Sequence, residues 1–95
     1  MKVELSDEAK AEVARVDAWW RQNRPAAPDL FLDELEQALT ALADAPALGT
    51  LYGPKPGVRR LLLKRAHYQL YFIEQADRVF VVSVWSTFRG RGPAL

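Results

Sequence analysis

Apolar residues recur at the spacing of α-helices through the first half of the chain. The first run has one apolar face, formed by Ala9, Val13, Val16 and Trp20. Ser6 stands before this run as an N-cap and Pro25 follows its end, so the pattern predicts a helix over residues 7–22. A second run, bounded by Pro28 and Pro46, has an apolar face formed by Phe31, Leu35, Ala38, Leu39 and Leu42. The short link between the two runs predicts an antiparallel helical hairpin.

The second half of the chain changes to a strand pattern. Residues 58–64, 68–74 and 78–86 have the length of strands, are rich in β-branched and aromatic residues, and are joined by short links. They predict an antiparallel meander, and residues 78–86 are apolar on both alternating faces, which is typical of a strand inside a sheet. Lys2 to Leu5 could add an edge strand. Residues 47–57 contain three glycines and two prolines and predict an irregular surface loop.

These elements predict an α+β fold. The helical hairpin should pack on one face of a small antiparallel β-sheet, because each element has an apolar face to bury. A length of 95 residues is sufficient for one domain, which we expect to span residues 1–95.

The amino-acid composition excludes several kinds of functional site. The chain has no cysteine and one histidine, His67, so no disulfide framework or thiolate metal site is possible, and we expect neither a metal nor a cofactor. With 49% apolar and 26% charged residues, the chain does not have the composition of a disordered protein. Acidic residues near the N-terminus and the lack of a long apolar stretch predict a cytoplasmic location.

The charge is unevenly distributed although its sum is only +1. Residues 4–44 hold most of the acids, whereas residues 55–91 are mainly basic and indicate an acidic partner. The chain ends with VWSTFRGRGPAL, in which Arg89 and Arg91 alternate with glycines directly after the last strand. Such a tail can be a contact surface for carboxylates or phosphates, or a frayed basic terminus.

Four segments together resemble a known protein family. They are VELSDEAKAEV, LADAPALG, GVRRLLLKRAHYQLYF and RVFVVSVWS followed by a basic tail, and they cover nearly the whole chain in this order. In order and spacing they are similar to the RelE/ParE toxins of bacterial type II toxin–antitoxin systems. The resemblance implies a toxin that poisons either translation or DNA gyrase and that a cognate antitoxin protein holds silent.

The two branches of this family need different residues. A metal-free ribonuclease needs cations at the scissile phosphate and groups that transfer protons. The RelE-like pattern implies such cations on the middle strands, where this chain keeps Arg60 but has Leu62 and Gln69. No tyrosine follows Arg89, and Ser86 stands where some relatives have histidine or lysine. If the chain were a ribosome-dependent mRNA endoribonuclease, its catalytic residues would be Arg60 and Arg89.

An alternative basic cluster for a ribonuclease would combine Arg59 with Arg89 and Arg91. The gyrase branch needs only a surface that binds a large partner. Because several cations of the nuclease pattern are missing, the sequence favours a ParE-like inhibitor of DNA gyrase over an enzyme. The candidate residues for binding a target or partner are Arg59, Arg60, Trp85, Arg89 and Arg91. The two strand arginines could instead be solvated on alternate faces, and Trp85 could be a core aromatic.

A third class is a non-enzymatic nucleic-acid-binding domain that uses the basic half against phosphates. The near-neutral total charge and the lack of aromatic residues interleaved with the basic ones argue against it. Trp19 and Trp20 are adjacent on a predicted helix, so we expect that they are not equally buried and that one of them is exposed.

Overall fold

The computed structural model describes all 95 residues. It contains two helices and five strands, which are β1 (Lys2–Leu5), α1 (Asp7–Asn23), α2 (Leu30–Asp44), β2 (Thr50–Leu51), β3 (Arg59–Leu63), β4 (Tyr68–Glu74) and β5 (Arg78–Ser86). The strands form one sheet in the order β1-β5-β4-β3-β2. None of the helices is long and apolar enough to cross a membrane.

The predicted α+β architecture is confirmed, with both helices packed on one face of the sheet. Strands β3, β4 and β5 form the predicted antiparallel meander, and β5 lies inside the sheet between β4 and β1. The sheet is mixed rather than purely antiparallel, because the edge strand β1 pairs with β5 in parallel. The helices carry the chain from β1 to β2 at the opposite edge, and strands β3 to β5 then return it to lie beside β1 in the same direction.

The prediction that residues 47–57 contain nothing regular is wrong at β2. Thr50 and Leu51 pair antiparallel with Arg60 and Arg59 and extend the sheet by a short edge strand. Gly49 makes this approach possible, since its φ is +93° and a Cβ atom there would lie 2.5 Å from the carbonyl oxygen of Arg60. A two-residue strand is too short to show alternation in the sequence.

The first helix begins as the sequence predicts. The hydroxyl of Ser6 accepts a hydrogen bond from the backbone N–H of Ala9 at 3.0 Å, and Asp7 and Glu8 lie in the first turn, where acidic residues interact favourably with the helix dipole. The two adjacent tryptophans differ as expected, because Trp20 is buried in the core whereas Trp19 is 47% exposed.

The core lies between the helices and the inner face of the sheet. Its largest fully buried side chains are Phe31, Leu42, Leu63, Leu70, Phe72, Val79 and Val81. Two helix carboxylates also accept backbone N–H groups, one from strand β5 and the other from the β3–β4 turn. Glu12 of α1 accepts from the N–H of Val84 at 3.0 Å, and Glu34 of α2 accepts from the N–H groups of Arg65 and Ala66 at 3.0 and 2.8 Å. Because both helices lie on this face, the outer face is left free of them.

Candidate functional site: an arginine basin

The outer face of the sheet carries the polar side chains of the middle strands. Arg60 lies on the face away from the core, because Leu61 and Leu63 of the same strand pack toward it. Arg60 pairs with Tyr71 on β4, and Gln69 of β4 pairs with Trp85 on β5. These side chains and the C-terminal tail enclose an open pocket of about 240 Å³. We call it the arginine basin and define it by Arg60, Tyr52, Tyr71, Trp85, Arg89 and Arg91.

The tail folds back over the outer face instead of continuing β5. Its start is fixed at Thr87, whose N–H and hydroxyl both donate to the carbonyl of His67, at 2.9 and 3.0 Å. Further along, the indole N–H of Trp85 donates to the carbonyl of Arg91 at 2.7 Å, and Lys55 donates to a C-terminal oxygen of Leu95 at 3.3 Å. The tail is therefore attached at its beginning, middle and end.

Aromatic rings hold two of the three guanidinium groups. Arg89 lies over the ring of Trp85, with 4.1 Å between its guanidinium carbon and the ring centroid. Arg60 lies over Tyr52 at 5.4 Å, and Tyr52 packs edge-to-face on Tyr71 with 4.9 Å between the centroids. Contacts between a guanidinium and an aromatic face orient the cation and leave its N–H edges available to an acceptor.

The positive charge of the basin is not neutralised within the chain. No Asp or Glu lines the basin, and the side chains of Arg60, Arg89 and Arg91 make no hydrogen bond or ion pair. Two arginines outside the basin are paired with carboxylates, Arg21 with Asp17 and Asp29, and Arg78 with Glu4 at the β1–β5 edge. The charge of Arg89 also reaches Tyr68, where burial raises the pKa of the phenol and this cation opposes the shift.

The structure brings four of the five candidate binding residues together and separates the fifth. Arg60, Trp85, Arg89 and Arg91 line the basin. Arg59 is on the opposite strand face, and it donates to the carbonyl of Ala47 at 3.4 Å. A cluster of Arg59 with the two tail arginines is therefore wrong. Adjacent strand residues point to opposite faces, so the alternation already separated Arg59 from Arg60.

Two tyrosines of the basin were not among the sequence candidates. Tyr71 lies on the same strand face as Gln69, so strand alternation could have identified it once Arg60 had been placed opposite. Tyr52 comes from the loop after β2, and its position depends on the unpredicted pairing of β2 with β3. No sequence signal identifies it.

The basin can bind an anion but contains few groups that exchange protons. It is lined by no histidine, carboxylate or lysine, and the phenols of Tyr52 and Tyr71 are its only such groups, since arginine stays protonated. His67 is in the β3–β4 turn, at a φ of 62°, and its ring is tilted against that of Phe88, with 5.2 Å between the ring centroids. Gln69 and Ser86 line the basin at positions where the nuclease pattern implies cations or a histidine, and Leu62 is exposed.

Comparisons with known proteins relate the chain to toxins. Residues 3–89 match the model of the family described as ParE toxin of type II toxin–antitoxin system, parDE. A chain of the chromosomal ParDE system from P. aeruginosa superposes with a TM-score of 0.74 at 17% identity, covering 90% of this chain and 95% of that one. A chain of the intact E. coli RelBE toxin–antitoxin complex superposes with a TM-score of 0.62 at 21% identity, covering 93% and 98%. No curated protein matches in sequence.

Proposed function

Because this chain belongs to the ParE toxin family of type II toxin–antitoxin systems, we propose that it arrests growth by binding DNA gyrase and that a cognate antitoxin neutralises it. The observation that carries the choice of target is the composition of the basin. RNA cleavage without a metal needs a group that assists attack by the 2′-hydroxyl and another that protonates the leaving oxygen. The basin offers no imidazole, carboxylate or amine for these steps, and its only groups that could transfer a proton are the phenols of Tyr52 and Tyr71, which pack against each other.

A gyrase inhibitor needs no proton transfer, only a surface that holds its target. The basin has three guanidinium groups, two of which lie over aromatic rings. Arginine and aromatic residues are the types that dominate the energetics of protein–protein contacts. The arrangement therefore supports a binding function better than a catalytic one.

The proposed antitoxin should cover apolar surface that the chain leaves exposed. Leu48 and Leu51 flank the β2 edge, and Leu62 is exposed on β3, with exposed fractions of 39%, 69% and 46%. An antitoxin segment rich in leucine and acidic residues could bury them as a helix or an added strand. The complex should be tight and only moderately salt-sensitive, because apolar burial rather than charge supplies most of the affinity.

The antitoxin proposal is tested with the product of the neighbouring gene. The purified chain should form a stable complex with it that survives a rise in salt from low to near-molar concentration. A chain that remains monodisperse and does not bind this product would contradict the proposal.

The target is tested by expression in bacteria without antitoxin. A gyrase inhibitor should cause filamentous cells and a DNA-damage response, since stalled gyrase leaves broken DNA.

The ribonuclease alternative is favoured by one observation, that Arg60 and Arg89 lie in the same pocket. Under that alternative, cells should stop translating without a DNA-damage response, and alanine at Arg60 or Arg89 should slow message cleavage by about 10²- to 10³-fold.

A further inference from the structure

We propose that the arginine basin binds the carboxylates of an acidic peptide segment of a protein partner, and that the docked C-terminal tail builds this site. The inference rests on the proposed function only in assigning a protein, rather than a nucleic acid, as the target. Its physical content is separate, because it concerns which ligand chemistry the basin accepts and which residues position the guanidinium groups.

The composition of the basin favours an anionic ligand. Three guanidinium groups line one pocket of about 240 Å³, and none of them has a partner within the chain. Arginine binds carboxylates through two parallel N–H···O bonds, and stacking on Tyr52 and Trp85 leaves the N–H edges of Arg60 and Arg89 free for such bonds. One or two carboxylates would satisfy these donors.

The aromatic rings favour a peptide over single-stranded nucleic acid. Binding of nucleic acid uses open aromatic faces on which bases stack, together with a groove that follows several phosphates. In this basin Arg89 covers a face of Trp85 and Arg60 covers a face of Tyr52, while Tyr71 is 4% exposed. The net charge of the whole chain is +1, so the basin is a local concentration of charge and not part of a general affinity for polyanions.

The tail positions two of the three cations, and Gly92 is the point of closest approach. A Cβ atom at Gly92 would lie 2.2 Å from the hydroxyl oxygen of Tyr52 and 3.3 Å from Cζ of the ring. Alanine there forces either the tail or the Tyr52 ring to move. Since Tyr52 packs on Tyr71 and beneath Arg60, either movement changes the basin. At Gly90, by contrast, an added Cβ meets nothing within 4 Å.

The test measures binding of fluorescein-labelled hexaglutamate by fluorescence anisotropy. Arg60→Ala, and separately the double variant Arg89→Ala/Arg91→Ala, should each weaken binding by about 10-fold or more, as expected for lost hydrogen bonds to charged groups. Arg65→Ala is the charge control, because its side chain is exposed in the β3–β4 turn and does not line the basin. It should leave the affinity within about two-fold, since only screened long-range attraction is lost.

The role of the tail is tested with a matched glycine pair. Gly92→Ala should weaken hexaglutamate binding while Gly90→Ala should not. Adding Tyr52→Phe to Gly92→Ala removes the nearest clashing atom and should restore much of the affinity, which a general loss of folding would not allow. Equal effects of the two glycine variants, or no rescue by Tyr52→Phe, would overturn the assignment of the tail as the element that builds the site.

Two results would overturn the ligand assignment. One is hexathymidylate binding more tightly than hexaglutamate at the same ionic strength, with the same dependence on Arg60, which would make the basin a nucleic-acid site. The other is an affinity for hexaglutamate that Arg60→Ala and Arg65→Ala lower equally, which would mean nonspecific attraction. If only the gyrase proposal is wrong, the results differ from both of these. Hexaglutamate would still bind through Arg60, while the intact chain would leave gyrase unaffected.

Discussion

Removing the carboxylate of Glu34 should destabilise the fold more than alanine at any other charged residue of α2. This carboxylate accepts two backbone N–H groups of the β3–β4 turn, from Arg65 at 3.0 Å and from Ala66 at 2.8 Å. Hydrogen bonds to charged groups contribute about 1.5–3 kcal/mol each. Water can replace the carboxylate at exposed Arg65 but reaches Ala66 poorly, because that residue is 4% exposed. Glu34→Ala should therefore cost about 2–3 kcal/mol.

The assay is urea unfolding followed by circular dichroism. For a domain of this size the loss corresponds to a fall in Tm of roughly 10–20 °C. Glu34→Gln keeps one acceptor oxygen and should lose about half as much. Glu36→Ala is the control, since Glu36 is exposed on the same helix and its side chain makes no hydrogen bond, and it should change stability by less than about 0.5 kcal/mol. If Glu34→Ala matched this control, the carboxylate would not hold the turn and the reasoning would be refuted.

Two further predictions concern the tail and the β1–β5 edge. Alanine at both Arg89 and Arg91 should weaken growth arrest but lower Tm by only a few degrees, because stacking of an exposed arginine on an aromatic ring contributes about 0.5–1 kcal/mol. Unfolding of the double variant would mean that the tail is structural, and undiminished toxicity would mean that the two arginines do not contact the target. Hydrogen bonds from Lys2 and then Arg78 lower the pKa of Glu4 below its ordinary value of 4.5. The contribution of Glu4 to stability is therefore present above about pH 4.5 and is lost as the pH falls through the lowered pKa. Glu4→Gln should reduce the fall of the urea unfolding midpoint between about pH 4.5 and pH 3. An equal fall in the variant and the unchanged chain would contradict the lowered pKa of Glu4.

The elements that the sequence predicted are those specified by local chemistry. Ser6 marks the start of α1 because its hydroxyl caps the first turn, and runs of strand length rich in β-branched and aromatic residues placed β3, β4 and β5 within one residue of their observed bounds. The two-residue strand β2 and the parallel pairing of β1 depend on contacts between segments distant in sequence, and no local pattern encodes them.

The basin shows the same division between local and tertiary information. Arg60, Trp85, Arg89 and Arg91 stood out by residue type and position, but the alternative cluster of Arg59 with the tail arginines is wrong, because the tail docks on the strand face of Arg60. The close approach of the tail at Gly92 to Tyr52 depends on tertiary contacts, which the structure alone reveals.

The most direct test of the proposed function places the purified chain in two reactions under the same conditions. One contains DNA gyrase and relaxed plasmid, and the other contains ribosomes stalled on a defined message. The account predicts that supercoiling by gyrase is inhibited while the message in the ribosomal A site stays intact, and that adding the antitoxin restores supercoiling. Cleavage of the message at the A site with gyrase unaffected would contradict it.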